Sequence, residues 1–198
     1  MQLLNDVDVA KAAVRYAERG WRVFPAHSVR DGLCSCGKPE CASPGKHPWT
    51  GTGFKEATTD PEVIRAWWAQ WPDARTGVRT GEVSGLAVID VDGDAGRKSL
   101  AKLVEAHGEL PSTREARTPH GRHLYFRYPG DGHDIRCTTR LCGLDGIDVR
   151  ANGGYVIAPP SDGYRWEGEG ECAELPSWLL DLLLNPRQPS GSAPTAPS

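Results

Sequence analysis

The sequence lacks several features that would assign it to a specialised class of protein. No apolar run approaches the ~20 residues that a helix needs to cross a bilayer. The first 20 residues carry acidic side chains and lack the apolar core and cleavage site of a secretory signal. No G-x-x-x-x-G-K-[ST] phosphate loop is present, which excludes a helicase motor. We therefore expect a cytoplasmic protein with no membrane partner.

The chain also lacks the strong positive charge of many nucleic-acid-binding proteins, since its net charge is -3. With 198 residues, 38% hydrophobic and 25% charged, it suits one soluble globular domain. Its charge is unevenly distributed, however. Residues 113–140 carry six arginines against three acidic residues: Arg114, Arg117, Arg122, Arg127, Arg136 and Arg140 against Glu115, Asp131 and Asp134. This segment predicts a local basic surface that binds phosphate groups.

Cysteine is the next informative residue type. A disulfide framework is not expected without a secretory signal, yet three of the six cysteines are crowded into LCSCGKPECASPGKHP. One, four and five residues separate the candidate ligands Cys34, Cys36, Cys41 and His47. This set matches tetrahedral zinc, and four protein ligands would make the site structural. The alternative is a reduced surface loop that binds nothing. The remaining cysteines are too scattered for a second site and are expected to be packed residues: Cys137, Cys142 and Cys172.

Periodicity and turn residues predict a mixture of helices and strands. Helices are expected from Asn5 or Asp6 to about Arg19, after Asp60 as N-cap, from Asp94 to His107, and over LPSWLLDLLLNP. Strands are expected at WRVFP, GLAVIDVD, RHLYFRY, GIDVR and GYVIAPP, with YRWEG as a short addition. The ANGG between GIDVR and GYVIAPP suits a tight hairpin turn. The mixture predicts an α+β fold with a largely antiparallel sheet.

Two further expectations concern organisation. Trp67, Trp68 and Trp71 lie near one face of an expected helix, a spacing more typical of a core than of a base-stacking platform. After Asn185 the sequence is rich in proline, serine and alanine, which is typical of a linker or tail. We therefore expect a catalytic domain over residues 1–185, with the cysteine loop at about 33–48, and a disordered tail over 186–198. The chain is then either an excised domain or a complete small protein.

The stretch GLAVIDVDG carries the first functional signal. Strand residues i and i+2 point to the same face, so Asp90 and Asp92 project together. Two close carboxylates repel unless a cation neutralises them, and Mg²⁺ and Mn²⁺ take such oxygen ligands. With Asp148 in GIDVR, the set can hold two metal ions ~4 Å apart for phosphoryl transfer. The alternative is that Asp92 caps the next helix and Asp148 pairs with Arg150.

The segment RTPHGRHLYF lies between these aspartates in the sequence. A turn at Pro119 and Gly121 delivers His123 to the start of a strand, and Arg122 and its basic neighbours can meet phosphates. A histidine in such a position is, by itself, more often structural. Beside three candidate metal-binding carboxylates it becomes a candidate ligand of a nucleoside triphosphate.

Taken in order, these motifs resemble the primase-polymerase (Prim-Pol) domain of the archaeo-eukaryotic primase superfamily. The family has an Asp-x-Asp on a strand, a histidine two residues after a small residue, and a further strand aspartate. The matching positions here are Asp90 and Asp92, Gly121 and His123, and Asp148. GWRVFP and a cysteine-rich insertion ending in GKHP are also similar, so the resemblance covers residues 10–166. One departure is Gly121: the family often has a phosphate-binding serine there, whereas glycine offers only its backbone N–H.

The resemblance implies an RRM-like catalytic sheet with flanking helices, and a template-directed DNA primase/polymerase that acts in DNA replication. The catalytic residues would be Asp90, Asp92 and Asp148, which would hold two Mg²⁺ or Mn²⁺ ions, together with His123. The implied nucleotide ligands are His123, Gly121, Arg122, Arg150 and Arg79. The implied partners are DNA template and primer, nucleoside triphosphates, and a helicase domain or protein, since family members often carry one downstream. The cysteine loop would be a structural knuckle or a grip on template and initiating nucleotide.

Two functions from other classes use parts of this pattern. A rolling-circle replication nuclease needs a His-hydrophobe-His pair and a nucleophilic tyrosine on a helix, whereas HGRH has a different spacing and Tyr125 falls in an expected strand. A non-enzymatic zinc module that binds nucleic acid would explain the cysteines and arginines. It leaves the three repelling aspartates without a purpose, so the primase-polymerase interpretation accounts for more of the sequence.

Overall fold

The computed structural model describes residues 9–130 and 132–186, which form a mixed α/β fold. The helices in this part are α1 (Val9–Glu18), α2 (Pro61–Gln70), α3 (Gly93–His107) and α4 (Ser177–Leu184). The strands are β1 (Val23–Ala26), β2 (Val29–Arg30), β3 (Leu33–Cys34), β4 (Arg75–Arg79), β5 (Leu86–Asp92), β6 (Arg114–Arg117), β7 (Gly121–Arg127), β8 (Ile147–Arg150), β9 (Tyr155–Ala158), β10 (Arg165–Glu167) and β11 (Ala173–Glu174). The prediction of helices with antiparallel sheets is confirmed. No helix of the described residues has the length and apolar character of a membrane span.

The larger sheet has the strand order β10-β6-β7-β5-β8, and its neighbours on this path are antiparallel. The short β11 pairs with the end of β7 in parallel. One face of this sheet, including Ile89 and Val91, packs against Leu100 of α3 and Leu179 of α4. The start of β5 is buried on both faces, which explains why its sequence is apolar there without alternation.

A smaller sheet, β1-β4-β9, shares a core with the second face of the larger sheet. Val23 and Val78 of the smaller sheet belong to one buried cluster with Val88 and Tyr125 of the larger one, and α1 and α2 complete this cluster. Beyond Val88, the same face of β5 carries its two aspartates. The candidate site residues of β5 therefore begin where the shared apolar core ends.

The start of α2 follows the sequence prediction. The Asp60 side chain accepts a hydrogen bond from the Glu62 backbone N–H at 2.9 Å, and Pro61 occupies the first turn. The helix α1 ends at Glu18, and Gly20 follows with a φ of 82° that suits glycine. The predicted caps at positions 5 and 6 and the tail from residue 187 onward lie outside the described residues.

The tryptophans of α2 belong to the core, as their spacing predicted. Trp68 is 4% exposed, and its indole N–H donates to the Ala74 carbonyl oxygen at 3.1 Å. Trp67 and Trp71 pack against the same apolar cluster. A base-stacking platform on α2 is therefore not supported.

The predicted hairpin between GIDVR and GYVIAPP is wrong. These segments are β8 and β9, but β8 pairs with β5 and β9 pairs with β4, in different sheets. Two hydrogen bonds hold the turn between them against the start of the β4–β5 connection. The Asn152 side chain accepts one from the Glu82 N–H at 2.9 Å, and the Gly154 carbonyl oxygen accepts one from the Thr80 N–H at 3.0 Å. Turn residues indicate a change of direction, and these longer-range contacts decide which strand is the neighbour.

Candidate active site

The strands β7, β5 and β8 bring the three predicted motifs together. Asp90 lies directly opposite His123 on one side and Asp148 on the other. Directly opposed residues of antiparallel strands share a face, so these three side chains form a row across the sheet. Asp92 follows on the same face at the end of β5, opposite Gly121. We call His123, Asp90, Asp148 and Asp92 the aspartate row.

Two arginines already bind one member of the aspartate row. Asp148 accepts a hydrogen bond from the Arg150 guanidinium at 2.8 Å and one from the Arg140 backbone N–H at 3.0 Å. Arg150 also lies 3.9 Å from Asp90. The pairing of Asp148 with Arg150, which the sequence left as an alternative, is therefore present.

The Asp92 side chain does not cap α3, which was the structural role that the sequence left as an alternative. It occupies the N-cap position of α3, but its side chain makes no capping hydrogen bond. It is also exposed to solvent. The helix-capping alternative is therefore wrong, and the Asp92 carboxylate is available to a ligand.

The electrostatics of the aspartate row favour the binding of a cation. Burial, together with the nearby charges of Asp92 and Asp148, raises the pKa of Asp90 to about 7 against the opposing charges of Arg150 and Lys46. Near neutral pH the Asp90 carboxyl is therefore present in both its protonated and its ionised form. A cation shared with Asp92 would favour the ionised form, so the donor set fits a hard divalent ion such as Mg²⁺ or Mn²⁺.

His123 is a neutral imidazole in this setting. Burial, together with the positive charges of Arg150 and Lys46, lowers the pKa of His123 to about 3. Its Nε2 lies 3.5 Å from the Asp90 carboxylate, and its Nδ1 is buried without a hydrogen-bond partner. The ring therefore offers a hydrogen bond to a ligand rather than a positive charge.

A cavity of about 370 Å³ adjoins the aspartate row and is lined by several elements. Asp90, His123 and Arg150 belong to the larger sheet, while Tyr155 and Ile157 come from β9 of the smaller sheet. The remaining lining residues are Ser43, Lys46, Cys137, Gly153, Gly154, Val156 and Tyr164. The cavity therefore joins one carboxylate of the row to Lys46 and Arg150, in an arrangement suited to an anionic ligand that carries a metal ion.

Sequence reasoning missed Lys46, Tyr155 and Tyr164 as residues of this cavity. The tyrosines gave no signal, because their proximity arises from the packing of two sheets. A partial signal existed for Lys46, because it stands in GKHP, directly before a candidate zinc ligand.

Two predicted nucleotide ligands lie away from this cavity. Arg122 is opposite Val91, on the face of the sheet that His123 does not occupy, and it pairs with Glu115 at 3.3 Å. It lines a separate cavity of about 570 Å³, together with Arg97, Arg117 and His120. Arg79 places its guanidinium 5.8 Å from the centre of the Phe54 ring. Neither arginine is therefore brought to the aspartate row.

Gly121 has a steric reason to replace a larger residue. A Cβ at this position would lie 1.9 Å from the Val91 carbonyl oxygen. Its backbone N–H already donates to the Thr118 hydroxyl at 2.9 Å. The one phosphate donor that this glycine could offer is thus already engaged in a turn.

The arginines of residues 113–140 are largely compensated by acidic partners. Four of the six form ion pairs: Arg122 with Glu115, Arg127 with Glu174, Arg136 with Asp134, and Arg140 with Asp145. Arg114 lies over the Trp166 ring, 4.2 Å from its centre. The predicted basic surface is therefore reduced to a few sites. One of them is the cavity that Arg97, Arg117 and Arg122 line together with Glu115 and Glu167.

The cysteine loop brings its four predicted ligands together. The donor atoms of Cys34, Cys36, Cys41 and His47 all lie within 4.8 Å of one another, and no other such group occurs among the described residues. The thiol sulfurs of Cys34 and Cys41 lie 3.4 and 3.5 Å from His47 Nε2. This cysteine cluster is compatible with zinc, whereas the aspartate row is not drawn together to the same degree.

The protonation chemistry of the cluster also fits zinc. Burial alone would raise the pKa of Cys34, but hydrogen bonds from the Cys36 and Gly45 backbone and from His47 lower it to about 6. The thiolate is therefore accessible at neutral pH, and the thiolate is the form that binds metal. Elsewhere, burial raises the pKa of Cys172 to about 11, as expected for a packed cysteine.

A stack of aromatic rings holds the cysteine loop to the smaller sheet. The ring centres of His47 and His27 are 4.1 Å apart, those of His27 and Trp49 are 3.7 Å apart, and those of Trp49 and Trp71 are 5.4 Å apart. The His27 backbone N–H donates to the His47 carbonyl oxygen at 2.9 Å. The cluster is thus anchored to the body of the protein on its His47 side.

Comparison with known proteins identifies a family. The family model described as Prim-Pol, bifunctional DNA primase/polymerase, N-terminal, matches residues 13–178. The match runs from α1 into α4 and includes both the aspartate row and the cysteine cluster. No curated protein matches the chain.

Proposed function

The chain belongs to the Prim-Pol family of bifunctional DNA primase/polymerase N-terminal domains, and on this premise we propose that it transfers nucleotides from nucleoside triphosphates to a 3′-hydroxyl on a DNA template. The observation that carries this proposal is the aspartate row beside a cavity with two basic side chains. Asp90 and Asp92 share a face of β5, and Lys46 and Arg150 line the cavity next to Asp90. Carboxylates for metal and cations for phosphate are the two parts that phosphoryl transfer requires.

Asp90 and Asp92 would hold two Mg²⁺ or Mn²⁺ ions, with Asp148 as the third carboxylate. When bound, such ions lower the pKa of the primer hydroxyl and neutralise charge on the leaving pyrophosphate. The chain itself supplies the orientation. Arg150 lies between Asp148 and Asp90, 2.8 and 3.9 Å away, so it can bind a phosphate oxygen without leaving the aspartate row. His123 would direct its unpaired ring nitrogen to the nucleotide as a hydrogen-bonding group.

The cysteine cluster would hold one structural zinc ion. Its four ligands come from one short loop and leave no position for a substrate. The zinc then fixes the loop that borders the nucleotide cavity, and it takes no part in the transfer itself.

The other two function classes receive less support from the structure. Tyr125, the tyrosine two residues after His123, is completely buried against Trp21 and Trp166 and cannot serve as an attacking nucleophile. A purely structural zinc module would have no use for Asp90, whose burial beside other carboxylates costs stability when it is ionised.

A template-directed incorporation assay tests the proposal. Purified chain is incubated with a DNA template, with and without a primer, and with deoxyribo- or ribonucleotides and Mg²⁺ or Mn²⁺. We expect incorporation by the wild type and a loss of roughly 10³-fold or more in Asp90→Asn and in Asp92→Asn. Asp181→Asn is the matched control, since Asp181 is an exposed carboxylate on α4, outside the row.

Circular dichroism shows whether each variant is folded. Folded Asp90→Asn and Asp92→Asn proteins that retain wild-type incorporation would contradict the assignment of the aspartate row. A wild type that incorporates neither kind of nucleotide, with or without primer, would contradict the proposed function.

A further inference from the structure

Lys46 connects the cysteine cluster to the nucleotide cavity. It stands between Gly45 and the candidate ligand His47, and its side chain lines the cavity together with Asp90, His123 and Arg150. Its charge lowers the pKa of both Asp90 and His123. One short loop therefore contributes both a metal ligand and a cation directed at the aspartate row.

The backbone around Lys46 is held by the cluster on both sides. The Gly45 N–H donates to the Cys34 sulfur at 3.4 Å, and the His47 ring lies between the sulfurs of Cys34 and Cys41. The Lys46 N–H itself donates to the Ser43 carbonyl oxygen at 3.1 Å. The position of the Lys46 Cα therefore depends on the same groups that would bind the metal.

Arg75 fixes the loop against the wall of the cavity. Its guanidinium donates to the Gly45 carbonyl oxygen at 3.3 Å and lies 6.0 Å from the centre of the Tyr164 ring, which lines the cavity. A Cβ on Gly45 would lie 2.6 Å from Arg75 Nη1 and 2.7 Å from Val29 Cγ2. Because Gly45 also has a φ of 67°, only glycine allows this close approach without strain.

A triphosphate bound in this cavity needs cations beyond those of the larger sheet. The aspartate row is rich in negative charge, and Arg150 is already bound to Asp148. His123 is a buried imidazole beside Asp90. Lys46 approaches from the cysteine loop and is the second basic side chain with a permanent charge that lines the cavity. Phosphate binding by lysine as a point charge is common.

We propose that Lys46 binds the triphosphate of the incoming nucleotide and that the metal in the cysteine cluster positions Lys46 for this contact. The proposal rests on the proposed function of the cavity as a nucleotide site. It makes the cysteine loop part of that site, so that loss of the metal weakens nucleotide binding while the two sheets stay folded.

Isothermal titration calorimetry with dATP and Mg²⁺, without DNA, tests the contact. The full 198-residue chain is loaded with zinc. We expect Lys46→Ala to bind dATP roughly 10-fold or more weakly than the wild type, which is the scale of one charge-assisted hydrogen bond, and to keep its zinc. Lys38→Ala is the matched control, since Lys38 is an exposed lysine of the same loop outside the cavity lining. Wild-type affinity in Lys46→Ala would overturn the proposal.

The dependence on the metal is tested by combining two changes. Zinc is removed from the wild type and from Lys46→Ala with a zinc-selective chelator, and folding is followed by circular dichroism. Removal should weaken dATP binding by the wild type about as much as Lys46→Ala does, and should add little to the defect of Lys46→Ala. Unchanged binding by the zinc-free wild type, or losses that simply add, would overturn the coupling. If chelation unfolds the chain, Cys41→Ser with and without Lys46→Ala provides the same comparison.

The failure of this proposal is distinguishable from the failure of the proposed function. If the wild type incorporates nucleotides and Lys46→Ala binds dATP normally, the cavity is a nucleotide site without a role for Lys46. If the wild type neither binds dATP nor incorporates nucleotides, the function itself is wrong.

Discussion

The cysteine cluster and the aspartate row are both candidate sets of metal ligands, yet the fold prepares them differently. The donor atoms of the cluster lie within 4.8 Å of one another and come from a single loop. The aspartate row comes from three strands that are distant in the sequence, and Arg150 and the Arg140 backbone N–H occupy Asp148. The ligands of the cysteine cluster are close together in the sequence. In the aspartate row, the charge of Arg150 partly neutralises the carboxylates.

Under the proposed function, this difference fits two kinds of metal binding. A closed set of four ligands favours a permanent structural ion. A row with one buried carboxylate of raised pKa, one exposed carboxylate and one paired carboxylate favours ions that arrive with a substrate and leave with a product. Damage to the cluster should therefore reduce order and stability, whereas removal of charge from the aspartate row should reduce activity and increase stability.

The largest effect is expected from the double variant Cys34→Ser with Cys36→Ser. It removes two of four ligands, so the chain should lose about one bound zinc ion and the loop over residues 33–48 should become sensitive to proteolysis. Metal analysis and limited proteolysis measure these two changes.

The matched control for that experiment replaces cysteines outside the cluster. Cys142→Ser should keep the zinc, because Cys142 takes no part in the group of donor atoms. A wild type without zinc after purification in zinc-containing buffer would contradict a permanent structural site.

A smaller effect, an increase in stability, is expected from Asp90→Asn in the absence of divalent ions. The folded pKa of Asp90 is about 7, above the ordinary value of 3.8, so the folded state loses stability relative to the unfolded state as pH rises between these values. The variant does not carry this cost. Its melting temperature should exceed that of the wild type by several degrees at pH 8, at ~2–4 °C per kcal/mol, and by little at pH 4.

The pH dependence of the wild-type melting temperature would not reveal this effect alone, because the titration of His123 changes the stability in the opposite direction. Its folded pKa of about 3 lies below the ordinary value of 6.5, so its contribution to stability is lost as pH falls between these values. The informative quantity is therefore the difference in melting temperature between Asp90→Asn and the wild type. A difference that is the same at pH 4 and pH 8 would show that Asp90 is not desolvated as described. Asp181→Asn provides the exposed control.

The smallest effect is expected at the arginine cavity, which belongs to neither metal site. DNA binding through Arg97, Arg117 and Arg122 should weaken with salt, and Arg117→Ala should reduce the slope of log affinity against log salt by about one unit. Fluorescence anisotropy at several salt concentrations measures the slope. Zinc content and dATP affinity should be unchanged, and an unaltered slope would place the DNA contacts elsewhere.

Local patterns predicted much of this architecture. The start of α2 at Asp60 and Pro61, the end of α1 before Gly20, and the grouping of the cysteine loop ligands all depend on neighbours within a few residues. The placement of Asp90 beside His123 and Asp148 followed from the resemblance to a family, since no local rule gives strand order.

Other features depend on long-range packing or on signals that were overlooked. The ANGG segment looks like a hairpin turn, but contacts with residues 80 and 82 redirect it between two sheets. Arg122 directly precedes His123 in a strand, and alternation alone places them on opposite faces. The position of Lys46 at the cavity depends on how the cysteine loop packs against both sheets, which its composition does not reveal.

Electron paramagnetic resonance of Mn²⁺ in the presence of dATP distinguishes the two proposed metal sites in one sample. Zinc-loaded wild type should bind Mn²⁺ together with dATP, and Asp90→Asn combined with Asp92→Asn should lose this signal while keeping one zinc ion. Unchanged Mn²⁺ binding in that folded double variant, or loss of the zinc together with the Mn²⁺, would contradict the assignment of catalytic ions to the aspartate row and of a structural ion to the cysteine cluster.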